Sequence, residues 1–520
     1  MIQKTCLTTL LIFVLMSVVM LEVGYMKEKT IVPELTLEQK ATDIQYFAKL
    51  VRDQYPFAEI NVKIKRLHDI KSLEKIYLKK ALATKNNEDF YEVFKEYLFE
   101  IQSSHGNIIN EEMVNNLNGW APRYFYGVSK KAISRVGYWS AIDKKLLDRW
   151  YAYSYLDTIY GNGKNYLLSD YHSQETNGKI LPAGTVIEKI NGVNTDDYVE
   201  AQSDKLHLNF DPVFHKLFLH EPVVMNPGNS PGWQVEFGLP DGTPYQTLIS
   251  KRPPHNPAQS YPNTYCAELS EDVGYIRVFS FMDGEFTAKD FQTIKEFIEK
   301  AKGKYKKLII DIRENIGGNP QAWMDSIMAP LIKKPLVYQD NVAIRRKMFA
   351  FGFKFFLYKL LGSHVPYNFT SPAYHCKKVE ELSSWPGFDS KSWRFFRFTR
   401  EIRPEKTLPF NGRIFLLTTT HCVSASEMFV TTVKKTGFAT IVGMRTGGGA
   451  AALVTVPYFA LPESGIVFRM DVDYVFNPDG KSNEINCTEP DIDLNPEFPP
   501  KSLKKNILMK DPWIKKVIAY

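Results

Sequence analysis

The sequence predicts a multidomain α/β protein, α+β in overall organisation, with a helical N-terminal part, a middle of short strands and a C-terminal strand–helix core. Three patterns predict it. Apolar residues recur at helical spacing from about 36 to 109, and then in short strand-like runs from about 163 to 250. Beyond about 261, buried-strand runs (GYIRVFSF, KLIIDIREN, RIFLLTTT) alternate with helical patterns, which argues an α/β core with its site at the carboxyl ends of the strands. At 520 residues the chain exceeds one compact domain. Its 44% hydrophobic and 24% charged content excludes a disordered or collagenous chain. A mean hydropathy of −0.26 excludes a polytopic membrane protein. The net charge of +7, from 65 basic and 58 acidic residues, is too small over this length to argue for nucleic acid.

Residues 1–25 stand apart from the globular body. Cys6 to Leu21 is sixteen residues without a charge, flanked by Lys4 and by Glu22 and Lys27. A bilayer span needs about 20 apolar residues, so the segment reads as a signal peptide or an N-terminal anchor, and the body as exported to a secreted, periplasmic or cell-surface location. Four cysteines follow it: Cys266, Cys376, Cys422 and Cys487. They allow three pairings and lack the short paired spacing of a zinc site.

The helical domain spans 26–160. Ile44, Phe47, Leu50 and Val51 share one helix face, and that run stops before Pro56. Phe90, Val93, Phe94, Leu98 and Ile101 form a second face, ending in the turn Ser103-Ser104-His105-Gly106. In the middle domain, 161–257, a strand at Thr185–Ile190 leads into Asn191-Gly192. Trp233, Val235 and Phe237 alternate before Asp241-Gly242, and Lys251–Pro257 reads as a linker. The core spans 258–500, with a tail at 501–520. Within it, 342–409 is an insert rich in Phe, Trp, Arg and Lys. Its first part, Ile344–Gly362, has the pattern of an amphipathic helix and reads as a lid, since Arg345, Arg346, Lys347, Lys354 and Lys359 interrupt it.

Two motifs carry chemistry. Ser424 lies between a buried strand and a helix start, where a hydroxyl is exposed and backbone N–H groups can receive an oxyanion. Ser424-x-x-Glu427 is equally a helix capping box. The second motif, Asp311-Ile-Arg313-Glu-Asn315-Ile-Gly317-Gly318, ends another buried strand. Tandem glycines there let backbone approach a ligand, or simply make a tight turn.

D-x-R-x-N-x-G-G, followed about a hundred residues later by a buried strand and S-A-x-E, resembles the C-terminal-processing (tail-specific) serine peptidase family. The LTLEQ…YPF opening, GTVIEKINGV, LPESGIVF and the late E-P-D resemble that family's helical domain, PDZ-like module and closing segment. The resemblance implies a ClpP/crotonase-like ββα catalytic core. It assigns Ser424 as nucleophile and the backbone N–H of Ala425 with that of Gly317 or Gly318 as oxyanion hole. Asn315 and Arg313 would brace the glycine turn, and Glu427 would cap or support. In the Ser-Lys branch the base is a lysine 25 residues after the serine, and here that position is Gly449. The chain therefore looks like the His-dependent branch with the tricorn-core and chlamydial-type peptidases. His105 would be the base and Glu484 its acid, with Cys487 replacing a glycine of the late motif and Glu489 as the alternative acid. His421 and Cys422, just before Ser424, are the competing base and nucleophile.

The reading that results is an exported serine endopeptidase acting on protein or peptide substrates through a Ser-His-Glu triad. It implies no metal and no organic cofactor, no nucleic acid, and a membrane only through the N-terminal anchor. The rival is an inactive homologue that binds peptides or scaffolds; the missing lysine and the serine at 103, where the family has an aspartate, keep it open.

Overall fold

The structure is a computed structural model that describes residues 32–64, 68–117, 127–172, 176, 178–252, 262–348, 375–379, 391–405, 410–449, 456–477, 481–494 and 508–520. The apolar leader, the linker at 253–257 and most of the aromatic insert lie outside the described residues. Among the described residues no helix is long and apolar enough to cross a membrane.

The N-terminal helices are α1 (Leu37–Gln54), α2 (Ala58–Ile64), α3 (Ile70–Leu82), α4 (Asn87–Glu100) and α5 (Lys130–Trp150). Thr36 and Gln39 close a capping box at the start of α1, and Asn86 caps α4. The predicted faces are buried: Ile44, Phe47 and Val51 on α1, and Phe90, Phe94 and Leu98 on α4. Their partners are distant in sequence. Phe47 and Phe94 each pack edge-on against Phe468, with centroids 5.4 Å apart, and the same core takes in Met470 and Tyr474. The short strand β1 (Asn107–Ile108) pairs with the 467–469 stretch. The helices and the closing segment of the chain therefore share one core, and this brings the turn after α4 to the sheet of the C-terminal core.

The middle region forms an antiparallel sheet in the order β2 (Thr158–Gly161), β3 (Lys164–Leu167), β4 (Val186–Ile190), β8 (Gly232–Gly238) and β9 (Pro244–Ser250), with β5 (Val193–Asn194) paired to β4. Helix α6 (Thr195–Glu200) follows β5. A separate hairpin, β6 (Asn209–Asp211) and β7 (Lys216–Phe218), departs from this sheet toward the core.

The core sheet has six strands in the order β10 (Thr264–Ser270), β11 (Val273–Val278), β12 (Lys307–Asp311), β16 (Arg413–Thr418), β17 (Thr440–Gly443) and β21 (Ile492–Asp493). Only β10 runs antiparallel to its neighbour. Helices α7 (Ala288–Ala301) and α8 (Ala425–Thr436) bury Ile294, Ile298, Phe429 and Val433 against one face. The other face is covered by α10 (Pro512–Ala519), through Trp513, Ile514 and Val517. Burial on both faces is why β12 and β16 read as unbroken apolar runs. The described part of the segment read as a tail, 508–520, thus carries a helix that completes the core.

The aromatic insert also departs from expectation. Ile344 and Arg345 end a ten-residue strand, β13 (Leu336–Arg345), rather than opening an amphipathic helix. The order β14 (His375–Val379), β15 (Trp393–Ile402), β13, β20 (Asp473–Phe476) makes an antiparallel sheet. The remaining strands, β18 (Tyr458–Ala460) and β19 (Val467–Arg469), form a sheet with β1.

Candidate active site

The loop after β16 turns sharply into α8 at Ser424, which adopts φ 56° and ψ −121°. A non-glycine residue at positive φ carries strain of about 1–3 kcal/mol, and such strain gathers at functional sites. No side-chain cap bond is made by Ser424, so the capping-box reading does not hold. The Ser424 N–H donates to Gly448 O at 3.0 Å, and the hydroxyl, not used as a cap, faces the turn after α4.

That turn carries His105. Its Nε2 lies 3.3 Å from Ser424 Oγ, and its Nδ1 lies 2.8 Å from Asp471 Oδ1. Asp471 Oδ2 accepts from Ser103 Oγ at 2.7 Å and from the His105 N–H at 3.2 Å. Burial alone would raise the Asp471 carboxyl, but the imidazole beside it and these donors bring it down to about 2. Burial likewise pulls His105 down, and Asp471, with a smaller push from Glu484, overrides it to raise the imidazole above its ordinary value.

The carboxylate that meets the ring is therefore Asp471 and not the expected Glu484. Glu484, on the short helix α9 (Asn483–Asn486), accepts from Ser104 Oγ, the residue beside the imidazole, and not from the ring. The turn presents Ser104 toward α9 and the ring toward the 470–472 stretch. The sequence holds a signal for Asp471 that motif reading passes over: it is the one carboxylate in Ile466–Val472, a stretch apolar apart from it and Arg469, and a buried charge needs a partner. Glu489 is exposed and meets Arg445 at 3.4 Å. Cys487 takes φ 56°, the conformation the glycine of the late motif would adopt without strain.

The glycine loop lies against Ser424. A Cβ on Gly317, at φ +102°, would come within 2.8 Å of Ser424 Cβ and of Ala425 N. Asn315 does brace this turn: its Oδ1 accepts from Gly317 N at 2.9 Å and from Ser426 Oγ at 2.6 Å. The Gly317 N–H is thereby committed. Gly318 and Ala425, the latter in the first helical turn where N–H groups lack helical acceptors, are the donors left for an oxyanion. Arg313 braces something else, donating twice to Asp311 (2.9 and 2.6 Å) and once to Asp511 (2.8 Å), which fastens α10 to the end of β12.

The remaining candidates fall away from the reaction centre. Glu427 is buried beneath α8, accepting from Thr488 Oγ1 at 2.5 Å and Asn483 Nδ2 at 2.7 Å, and burial pushes its carboxyl up. His421 stacks on His220, with centroids 3.8 Å apart. Cys422 is buried with its Sγ 3.1 Å from Ile312 O, and burial pushes the thiol well up, which suits packing and not attack. Lys434 and Lys435 pair with Asp491 and Asp340. A Cβ on Gly449 would lie 3.5 Å from Ser424 N, so the vacant lysine position does border the nucleophile. Cys266, Cys422 and Cys487 are free thiols. Among the described residues no cluster could hold a metal ion.

Residues 272–494 match the family model of peptidase family S41. No curated protein matches the chain in sequence. Among solved structures the chain resembles mature CPAF complexed with lactacystin at 12% identity and a TM-score of 0.55, over 93% of this chain and 97% of that one. It also resembles mature CPAF alone, at 13% identity and 0.54, over 93% and 96%. At such identities the structural likeness establishes the fold, α/β with a helical N-terminal region. The family match, over 272–494, supports a serine-type peptidase core of the tail-specific kind.

Proposed function

We propose that this serine-type peptidase of family S41 is an exported endopeptidase that cleaves protein substrates with Ser424 as nucleophile, His105 as base and Asp471 as the acid behind it. The observation that carries the reading is the relay Ser424 Oγ, His105 Nε2, His105 Nδ1 and Asp471 Oδ1, at 3.3 and 2.8 Å, in which the carboxylate is buried. Export rests on the apolar leader of the sequence.

In the first half-reaction, His105 Nε2 takes the hydroxyl proton as Ser424 Oγ adds to the substrate carbonyl carbon. The oxygen gains the negative charge and receives the N–H groups of Ala425 and Gly318. Asp471 keeps the Nδ1–H tautomer and stabilises the imidazolium that forms. The imidazolium then gives its proton to the leaving amine, the C–N bond breaks and an acyl-serine remains. Water repeats the sequence, giving its proton to His105 and its oxygen to the acyl carbon, and Ser424 is released with the carboxylate product. With glycine at 449, no lysine enters these steps.

A fluorophosphonate probe should label the wild-type chain on Ser424, and Ser424→Ala should lose both labelling and turnover, roughly 10⁴-fold or more, with its melting temperature kept. A chain that neither labels nor cleaves, yet binds peptides, would establish the scaffold reading instead.

A further inference from the structure

Ser424 and His105 stand 319 residues apart in sequence and come from different layers of the fold, so something must fix their relative placement. A misplacement of about 1 Å costs roughly 10²-fold in rate. The 203–220 segment, which leaves the middle sheet as β6 and β7, touches both halves.

On the histidine side it grips the turn through Gln102, which is 3% exposed and held at φ 51°. The Gln102 amide donates to Ser203 O at 2.7 Å and Leu206 O at 2.8 Å, and its oxygen accepts from Leu208 N at 2.8 Å. The His207 ring donates from Nε2 to Gly106 O at 2.5 Å, one residue past His105. On the serine side, the Asp211 carboxylate, 1% exposed, accepts from Arg445 Nη2 at 2.8 Å. Arg445 begins the loop whose Gly448 carbonyl receives the Ser424 N–H. At the end of the segment, His220 Nε2 donates to Thr420 O at 3.0 Å.

We propose that the 203–220 segment is a clasp that sets the distance between the two halves of the catalytic pair, with Gln102, Asp211 and Arg445 as positioning residues. The clasp rests on the reading of Ser424 and His105 as a working pair only for its effect on rate; its mechanical effect stands apart. Asp211 also accepts from Val213 N at 2.8 Å and Phe214 N at 3.1 Å, so the carboxylate that holds Arg445 is itself fixed by the hairpin tip. All three bonds of the Gln102 side chain are to backbone of the segment, which transmits its displacement directly to the turn.

The test uses the full chain with Arg445→Gln and Gln102→Ala, and Asp211→Asn as a third variant should Gln102→Ala fail to fold. Amide hydrogen exchange is read at the opposite half: 101–109 in Arg445→Gln and Asp211→Asn, and 440–449 in Gln102→Ala. Exchange there should rise by about tenfold, because loosening one grip lowers the local opening cost at the other. Labelling of Ser424 by a fluorophosphonate should slow by roughly tenfold or more while KM stays near the wild-type value. Exchange confined to the mutated half, with labelling at the wild-type rate, would overturn the clasp. A wild-type chain that does not label would overturn the peptidase reading, and the exchange result would still judge the clasp.

Discussion

Ser424 sits where a parallel strand ends and a twelve-residue helix begins, whereas His105 sits in a short irregular turn that follows α4. The serine half is positioned mainly by backbone, namely strand register, the first turn of α8 and a glycine loop close enough that a Cβ would collide with it, with Asn315 and Arg445 as its side-chain ties. The histidine half is positioned by side chains: Asp471 and Ser103 on one side, Gln102 and His207 on the other, and Tyr55, whose hydroxyl donates to the end of α4 at Ile101 O and Gln102 O. Backbone-built geometry is stiff and tolerates changes of neighbouring side chains. Side-chain-built geometry fails one bond at a time, so the two halves should respond differently to substitution.

His105→Ala would break the comparison outright. It should cost roughly 10⁴-fold or more in kcat, matching Ser424→Ala, because members of such a unit fail together. Asp471→Asn should cost nearly as much, about 10³–10⁴-fold, since an amide at Nδ1 favours the wrong tautomer. The side-by-side Glu484→Gln variant decides between the two carboxylates; a severe loss there with a mild loss at Asp471 would return the acid to Glu484.

Gly317→Ala sharpens the other half. With φ +102° and contacts of 2.7–2.8 Å awaiting a Cβ, it should displace the oxyanion loop and lower kcat about 10²-fold, with a loss of stability of about 1–3 kcal/mol read by thermal melting. Glu484→Gln is expected to lower kcat by about tenfold or less, because Glu484 reaches Ser104 and acts on the ring only through its charge.

The smallest effect is on the pH profile. Asp471 and Glu484 both favour the imidazolium, so His105 stays protonated, and unable to act as base, to a higher pH than an ordinary imidazole at about 6.5. The acid limb of kcat/KM should therefore lie above that value, with activity lost as pH falls through it. Glu484→Gln should move the limb to lower pH, and residual activity in Asp471→Asn should show a larger move in the same direction. A limb that stays fixed in both variants would mean that another group titrates.

How much was legible in the sequence follows the same division. The apolar runs of β12 and β16, the glycines at 317 and 318 and the serine before a helix are local signals, because strand burial and tight turns constrain neighbouring residues. The absent lysine at 449 was legible too, and its position does border Ser424. Ile344 and Arg345 read as a helix start because they open a run of mixed aromatic and basic residues, and such a run fits a helix face and a sheet face alike; in the structure they end the strand Leu336–Arg345. Residues 501–520 read as a tail because one amphipathic turn or two, without its docking surface, looks like any exposed terminus; in its described part, 508–520, Arg313, reaching Asp511 and lying 5.3 Å from the Trp513 ring, makes the tie to the core.

By itself the sequence determined the α/β core and the glycine loop, since each depends on the conformation of a few consecutive residues, and through its family resemblance it singled out Ser424 and His105. Only the tertiary structure decided which carboxylate meets His105, which glycine N–H is left for an oxyanion, and that the 203–220 segment touches both halves. Those are contacts between residues hundreds of positions apart. They are set by how α1 and α4 pack on the 459–476 segment and by how the β6–β7 hairpin seats against the core, and no spacing along the chain records where those surfaces meet.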